Sequence, residues 1–154
     1  MMRNILFFTC MVVICTVCKS HKSAQGEIRE HYQEILEKVI NGTYETDNDI
    51  VFVIPTTPKE AIIFFSNDYQ ILTASRFSQL QSRILKLCMF GNKDAIERYL
   101  YMSEFVDGYF AEDYFDNLEK ISASQIELLC RQMNTLKQNK IRRLADFRNL
   151  RCPR

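Results

Sequence analysis

Residues 75–92 read SRFSQLQSRILKLCMFGN, and the apolar spacing in this stretch sets the fold class. Phe77, Leu80, Ile84, Leu87 and Cys88 recur at intervals of three and four, which puts them on one stripe of a 3.6-residue helix. A strand would need apolar residues at every second position, and nothing between Ser75 and Phe90 alternates that way. Gly91 stops the helix, because the residue just past a helix end takes a left-handed conformation that glycine reaches without steric cost. Asn92 caps the next helix, its side chain accepting a backbone N–H of the first turn.

The same signals repeat on both sides. Beyond Asn92, a fourth helix with Ile96, Tyr99, Leu100 and Val106 inward is expected to end at Gly108. Tyr109 to Ile121 form a fifth, and Ser122 or Ser124, with Gln125 or Glu127 three residues on, caps a sixth that reaches Leu150. Toward the N-terminus, residues 27–41 place Ile28, Tyr32, Ile35, Leu36 and Val39 on one face, with Gly42 closing that helix. Thr57, Pro58, Lys59 and Glu60 make a capping box with proline at the first helical position, so helix two runs from Pro58 to about Leu72. Between these two lie a polar loop, Thr43 to Asp49, and the β-branched run Ile50 to Ile54, expected as one short extended segment against the core. The reading is all-α: a single-domain bundle or array of about six helices with an extended segment near 50–54. No internal repeat is present, since the helix pairs lack the Trp, Gly and Pro positions of the common helical repeats.

Composition narrows the function classes. The 154 residues are 47% apolar and 25% charged, with 20 Lys+Arg against 19 Asp+Glu and a net charge of +1. That excludes a disordered chain, a collagen and a globally basic nucleic-acid binder. A chain of this length supports a single core and buries roughly two-thirds of its unfolded surface.

Export is written at the N-terminus. Arg3 precedes the run Ile5 to Cys18, broken by Thr9 and Thr16 alone. As a helix this run reaches about 21 Å, short of the roughly 30 Å hydrocarbon core, so it reads as a signal peptide within residues 1–20 and not as a membrane span. Small residues allow cleavage after Cys18 or Ser20, leaving 21–154 as one helical domain. Cys18 followed by Lys19 and Ser20 also resembles the lipid-bearing cysteine of bacterial lipoproteins, with Val17 and Cys15 standing where those proteins carry a small and an aliphatic residue. The chain is therefore expected to be exported, secreted or periplasmic, with a lipid anchor on Cys18 as the membrane-tethered variant.

Cys10, Cys15 and Cys18 fall in the leader, so Cys88, Cys130 and Cys152 remain and make at most one internal bridge. Cys130 and Cys152 lie 22 residues apart on what reads as one helix, about 33 Å if continuous, whereas a disulfide needs Cα atoms within about 7 Å. The spacing argues against that pair. Cys88 with Cys130 or with Cys152 stays open, as does a reduced, buried state for Cys88 and Cys130.

Catalytic constellations are sparse. His21 lies at the edge of the leader, so His31 is the one histidine firmly in the fold. Glu27, Glu30, His31 and Glu34 share a helix, but a carboxylate-bridged metal bundle needs Glu-x-x-His on two further helices and neither copy exists. No metal or cofactor is expected. A single histidine removes most Ser-His and Cys-His mechanisms, and no glycine-rich phosphate loop occurs.

Carboxylates are the abundant reactive group. Between Tyr99 and Glu119 stand Glu104, Asp107, Glu112, Asp113, Asp116 and Glu119, with seven aromatics and no Lys or Arg. Glu104 with Asp107, or Glu112 with Asp113, are the candidate acid–base pairs of a carboxylate-dependent enzyme acting on a polysaccharide. The competing reading is a core stripe backed by a solvated acidic face. The opposite pole lies at the C-terminus, where Lys137 to Arg154 carries +6 against the −6 of the acidic segment. These basic residues either neutralise the acidic segment within the chain, the arrangement expected for the inward turns of the last helix, or meet an acidic partner or lipid headgroups. Arg142, Arg143, Arg148 and Arg151, together with Tyr109 and Phe110, are the candidate partner-binding residues, and export disfavours nucleic acid as that partner. Asn41-Gly42-Thr43 matches the N-glycosylation pattern.

The leading expectation is a non-enzymatic exported helical module that binds a protein, of inhibitor, immunity, adaptor or secreted-ligand type. The polysaccharide enzyme is the alternative.

Overall fold

A computed structural model describes Gly26, residues 29–70, 74–138 and Cys152. The chain falls into two compact units, Met1–Glu34 and Ile35–Arg154. In the first, residues 29–34 are helical and Tyr32 is buried. They begin α1, which spans 29–41. The second unit continues with α2 (Asp47–Phe52), α3 (Pro58–Gln70), α4 (Ala74–Met89), α5 (Lys93–Met102) and α6 (Gly108–Gln138). The architecture is an all-α helical array, with no strand among the described residues.

Within the second unit α4 is the hub, packing against α2, α3, α5 and α6. Its stripe follows the spacing: Phe77, Leu80, Ile84 and Cys88 are buried and Leu87 is half-buried. Beside it α5 is short and buries one face, with Ala95, Ile96 and Leu100 at 0% exposure. Two helix ends close with matching hydrogen bonds. At Gly42 (φ 75°), Gly42 N–H donates to the Val39 carbonyl at 3.2 Å and Thr43 N–H to that of Lys38 at 2.9 Å. At Gly91 (φ 82°), Gly91 N–H donates to Cys88 and Asn92 N–H to Leu87, both at 3.0 Å. Each is a Schellman closure, in which two orphan carbonyls are satisfied at once. Asn92 then caps α5 by accepting from Ala95 N–H at 3.0 Å. The capping box of α3 is also formed: Glu60 N–H donates to Thr57 Oγ1, and the Glu60 carboxylate accepts from Thr57 N–H and from Thr56 N–H and Oγ1.

Four expectations need correction. The run Ile50–Ile54 is not extended. Asp49 reaches back to accept from Glu45 and Thr46 N–H at 3.0 and 3.2 Å, which starts α2 just ahead of the apolar run. The turn continues through Val53 N–H to Asp49 and Ile54 N–H to Val51. Ile50, Val51, Val53 and Ile54 are all buried, whereas a half-buried strand would turn every second residue outward. The far end is held from outside: Arg98 Nη1 donates to the Phe52 and Ile54 carbonyls, both at 3.0 Å, and its guanidinium lies 5.6 Å from the Phe52 ring centroid.

The helix begun at Asn92 ends at Met102 and not at Gly108. Ser103, Glu104 and Phe105 N–H each bond three residues back, a tightening that winds the chain down and still buries Val106 at 3% exposure. Gly108 (φ 49°) therefore opens a helix instead of closing one.

The boundary expected between the fifth and sixth helices stands, as a kink inside α6, and it is the serine cap that differs. Gln125 has φ −138° and ψ 40° inside α6. Ser124 does not cap a new helix, since its hydroxyl donates back to the Lys120 and Ile121 carbonyls at 3.1 Å. The Gln125 side chain instead donates to the Met89 carbonyl at 3.0 Å, tying the kink to the end of α4. The expected extension to Leu150 lies outside the described residues, as does Leu72.

Cys130 and Cys152 are bridged, with Cα atoms 5.7 Å apart. The distance argument against this pair assumed one helix through both. A 22-residue helical spacing is about six times too long for the observed approach, so Cys130 and Cys152 do not lie on one continuous helix. Cys88 is the free thiol among the described cysteines.

Candidate functional site

The acidic aromatic segment is divided by its helical periodicity. Two of its tyrosines, Tyr99 and Tyr114, turn inward. Tyr99 on α5 and Tyr114 on α6 stack at 4.8 Å between centroids, 13° from parallel. Each donates its hydroxyl to the backbone carbonyl of the other, Tyr114 to Tyr99 at 3.1 Å and Tyr99 to Tyr114 at 3.5 Å. Burial holds both phenols protonated: desolvation raises Tyr99 above its ordinary value, and it raises Tyr114 well above, with the neighbouring Tyr99 adding to the effect. Neither supplies a tyrosinate. The pair is a brace between two helices.

Beside it lies a cavity of about 20 Å³, roughly the room of one water. Phe64, Phe65, Ile84, Met102, Val106 and Phe110 form its apolar wall, the two tyrosines complete it, and Gln81 and Asn117 are its polar members. Among the described residues no carboxylate lines it. Phe110, a candidate for partner binding, is half-buried here, 4.9 Å from the Phe65 ring and 6.2 Å from that of Phe77. Its role in the fold is to join α3 and α4 to α6.

The carboxylates turn outward. Asp107, Glu112 and Asp113 are exposed, as are Asp116 and Glu119, while Glu104 is half-buried in the turn after α5. Glu112, Phe115, Asp116 and Glu119 follow at intervals of three, one and three, which makes a single exposed stripe along α6. Phe115 is 42% exposed in the middle of it, its ring edge-on to Tyr114 at 5.5 Å. The i, i+3, i+4, i+7 spacing of this stripe was present in the sequence, but counting aromatics as a group hid that Phe115 is exposed where Tyr114 is buried. Arg98 and Gln125, which hold the ends of α2 and α4, carried no local signal because their partners lie 46 and 36 residues away.

Arg142, Arg143, Arg148, Arg151 and the leader with Cys18 lie outside the described residues, and so does the Tyr109 side chain. His31 is exposed on α1. Among the described residues no group of three His, Cys, Asp or Glu side chains is placed to hold a metal ion, and no helix is long and apolar enough to cross a membrane.

No family model, curated protein or solved structure matches the chain.

Proposed function

We propose that this chain is an exported helical protein that acts by binding a protein partner through the outer face of α6. The observation that carries the reading is the exposed stripe Glu112, Phe115, Asp116 and Glu119. An exposed aromatic ringed by charges of one sign has the make-up of an interface anchor with a polar rim, and it fits a basic surface that offers an apolar pocket. The fold supplies the rigidity such an anchor needs, because Phe115 rests on Tyr114, which the carbonyl exchange with Tyr99 locks in place. The acidic aromatic segment thus has two jobs, one for each face.

The test starts from protein purified out of its own host, with the co-purifying partner identified by mass spectrometry. Phe115→Ala should weaken that association about tenfold or more, and Glu112→Lys with Asp116→Lys should slow its formation while the thermal midpoint of this charge variant stays that of the parent. Hydrolysis of a polysaccharide that is lost in Glu104→Gln or Glu112→Gln would replace this reading with the enzymatic one.

A further inference from the structure

The chain contains one Asn-x-Ser/Thr triplet, Asn41-Gly42-Thr43, and the fold displays it. Asn41 ends α1, and all three residues are exposed. A Cβ built on Gly42 meets nothing within 4 Å, so the space around the turn is open. The Asn41 amide has a defined orientation, because Arg76 Nη1 lies 2.9 Å from its Oδ1. A guanidinium can only donate, so the amide oxygen must face it and Nδ2 points to the other side. The oxygen ties Asn41 to α4, and the nitrogen belongs to an exposed residue. The Cys130–Cys152 bridge is an independent observation about compartment: disulfides persist in oxidising surroundings such as the secretory lumen.

We propose that Asn41 is the attachment site of an N-linked oligosaccharide, added in the secretory lumen of a eukaryotic host. The inference rests on the export reading above. The donor class is an oligosaccharide carried on a polyprenyl diphosphate, delivered by the host's transferase. Asn41 Nδ2 forms a bond to the anomeric carbon of the first sugar while the bond from that carbon to the diphosphate oxygen breaks. The polyprenyl diphosphate leaves with the bonding electron pair, Nδ2 gives one proton to a base of the transferase, and nothing is oxidised or reduced. Thr43 supplies the hydroxyl of the acceptor triplet. In the folded protein that hydroxyl donates to the Lys38 carbonyl at 3.2 Å, so transfer precedes closure of the turn. Afterwards Oδ1 is still a carbonyl acceptor, and the Arg76 contact survives.

The experiment is expression of the full chain with its own leader in a eukaryotic secretory cell line, followed by intact mass and peptide mapping of medium and cells. The expected result is a secreted protein heavier than its polypeptide. A glycan-cleaving amidase should return it to polypeptide mass and convert position 41 to aspartate. Asn41→Gln and Thr43→Ala should each abolish the extra mass while Cys130 and Cys152 remain bridged. A secreted, disulfide-bonded chain with unmodified Asn41 overturns the inference and leaves export standing. A chain kept inside the cell with reduced cysteines overturns the export reading, and the inference falls with it.

Discussion

Tyr114 donates its buried hydroxyl to the Tyr99 carbonyl at 3.1 Å, and the return bond from Tyr99 is at 3.5 Å, the outer limit of hydrogen-bond length. The two bonds are therefore unequal in strength, and Tyr114→Phe should cost about 1 to 2 kcal/mol by urea denaturation, with Tyr99→Phe costing less. No loss in either variant would show that stacking alone holds the pair. Cys88 makes a pH prediction. Desolvation by burial pushes its thiol from 9.0 up to about 12, so the native state keeps its proton more tightly than the unfolded chain. Stability from this group is complete below pH 9 and falls as pH rises toward 12, because there the unfolded state binds fewer protons. Unfolding followed against pH should show this alkaline decline. A thiol reagent at pH 8 should label Cys88 in denaturant and leave it unlabelled in the native protein.

Among the elements, α2 and the junction of α4 with α6 depend on contacts from far along the chain. Arg98→Met keeps the aliphatic stem but removes both bonds to the Phe52 and Ile54 carbonyls. The expected loss is about 1.5 to 3 kcal/mol, the range for bonds to a charged donor, with a small fall in helical circular dichroism as α2 frays. The two glycine closures should respond differently to alanine. Gly42→Ala pays for its positive φ alone, about 1 kcal/mol, since its surroundings are open. At Gly91 the new Cβ also comes within 3.2 Å of Gln125 Oε1, pressing on the side chain that caps α4. Gly91→Ala should lower the thermal midpoint more than Gly42→Ala, and Gln125→Ala in the same chain should shrink the gap. The caps at Thr57–Glu60 and Asn92 were readable because donor and acceptor lie within three residues of one another. Local geometry settles such contacts before any tertiary packing exists.

For the whole molecule the Cys130–Cys152 bridge is the largest single constraint that local reasoning ran against. Cys130→Ser or Cys152→Ser should lower stability by about 3 kcal/mol, the loop-closure value for a ring of this size. Peptide mapping of the oxidised protein should recover the bridge with Cys88 reduced. The all-α class, the stripe of α4, the caps of α3 and α5 and the closures at Gly42 and Gly91 follow from the amino-acid sequence by itself, since each rests on 3.6-residue periodicity or on a contact spanning five residues or fewer. The inward turn of Tyr114 and the outward Phe115 stripe on α6 were also implicit in that periodicity, once read position by position. What the tertiary structure alone decided are the features whose partners are distant: a helix at Ile50–Phe52 held by Arg98, the tie from Gln125 to Met89, and the approach of Cys152 to Cys130. In each the local preference is weak or opposed. Burial and hydrogen bonding from another element outweigh it, and no window of neighbouring residues contains that other element.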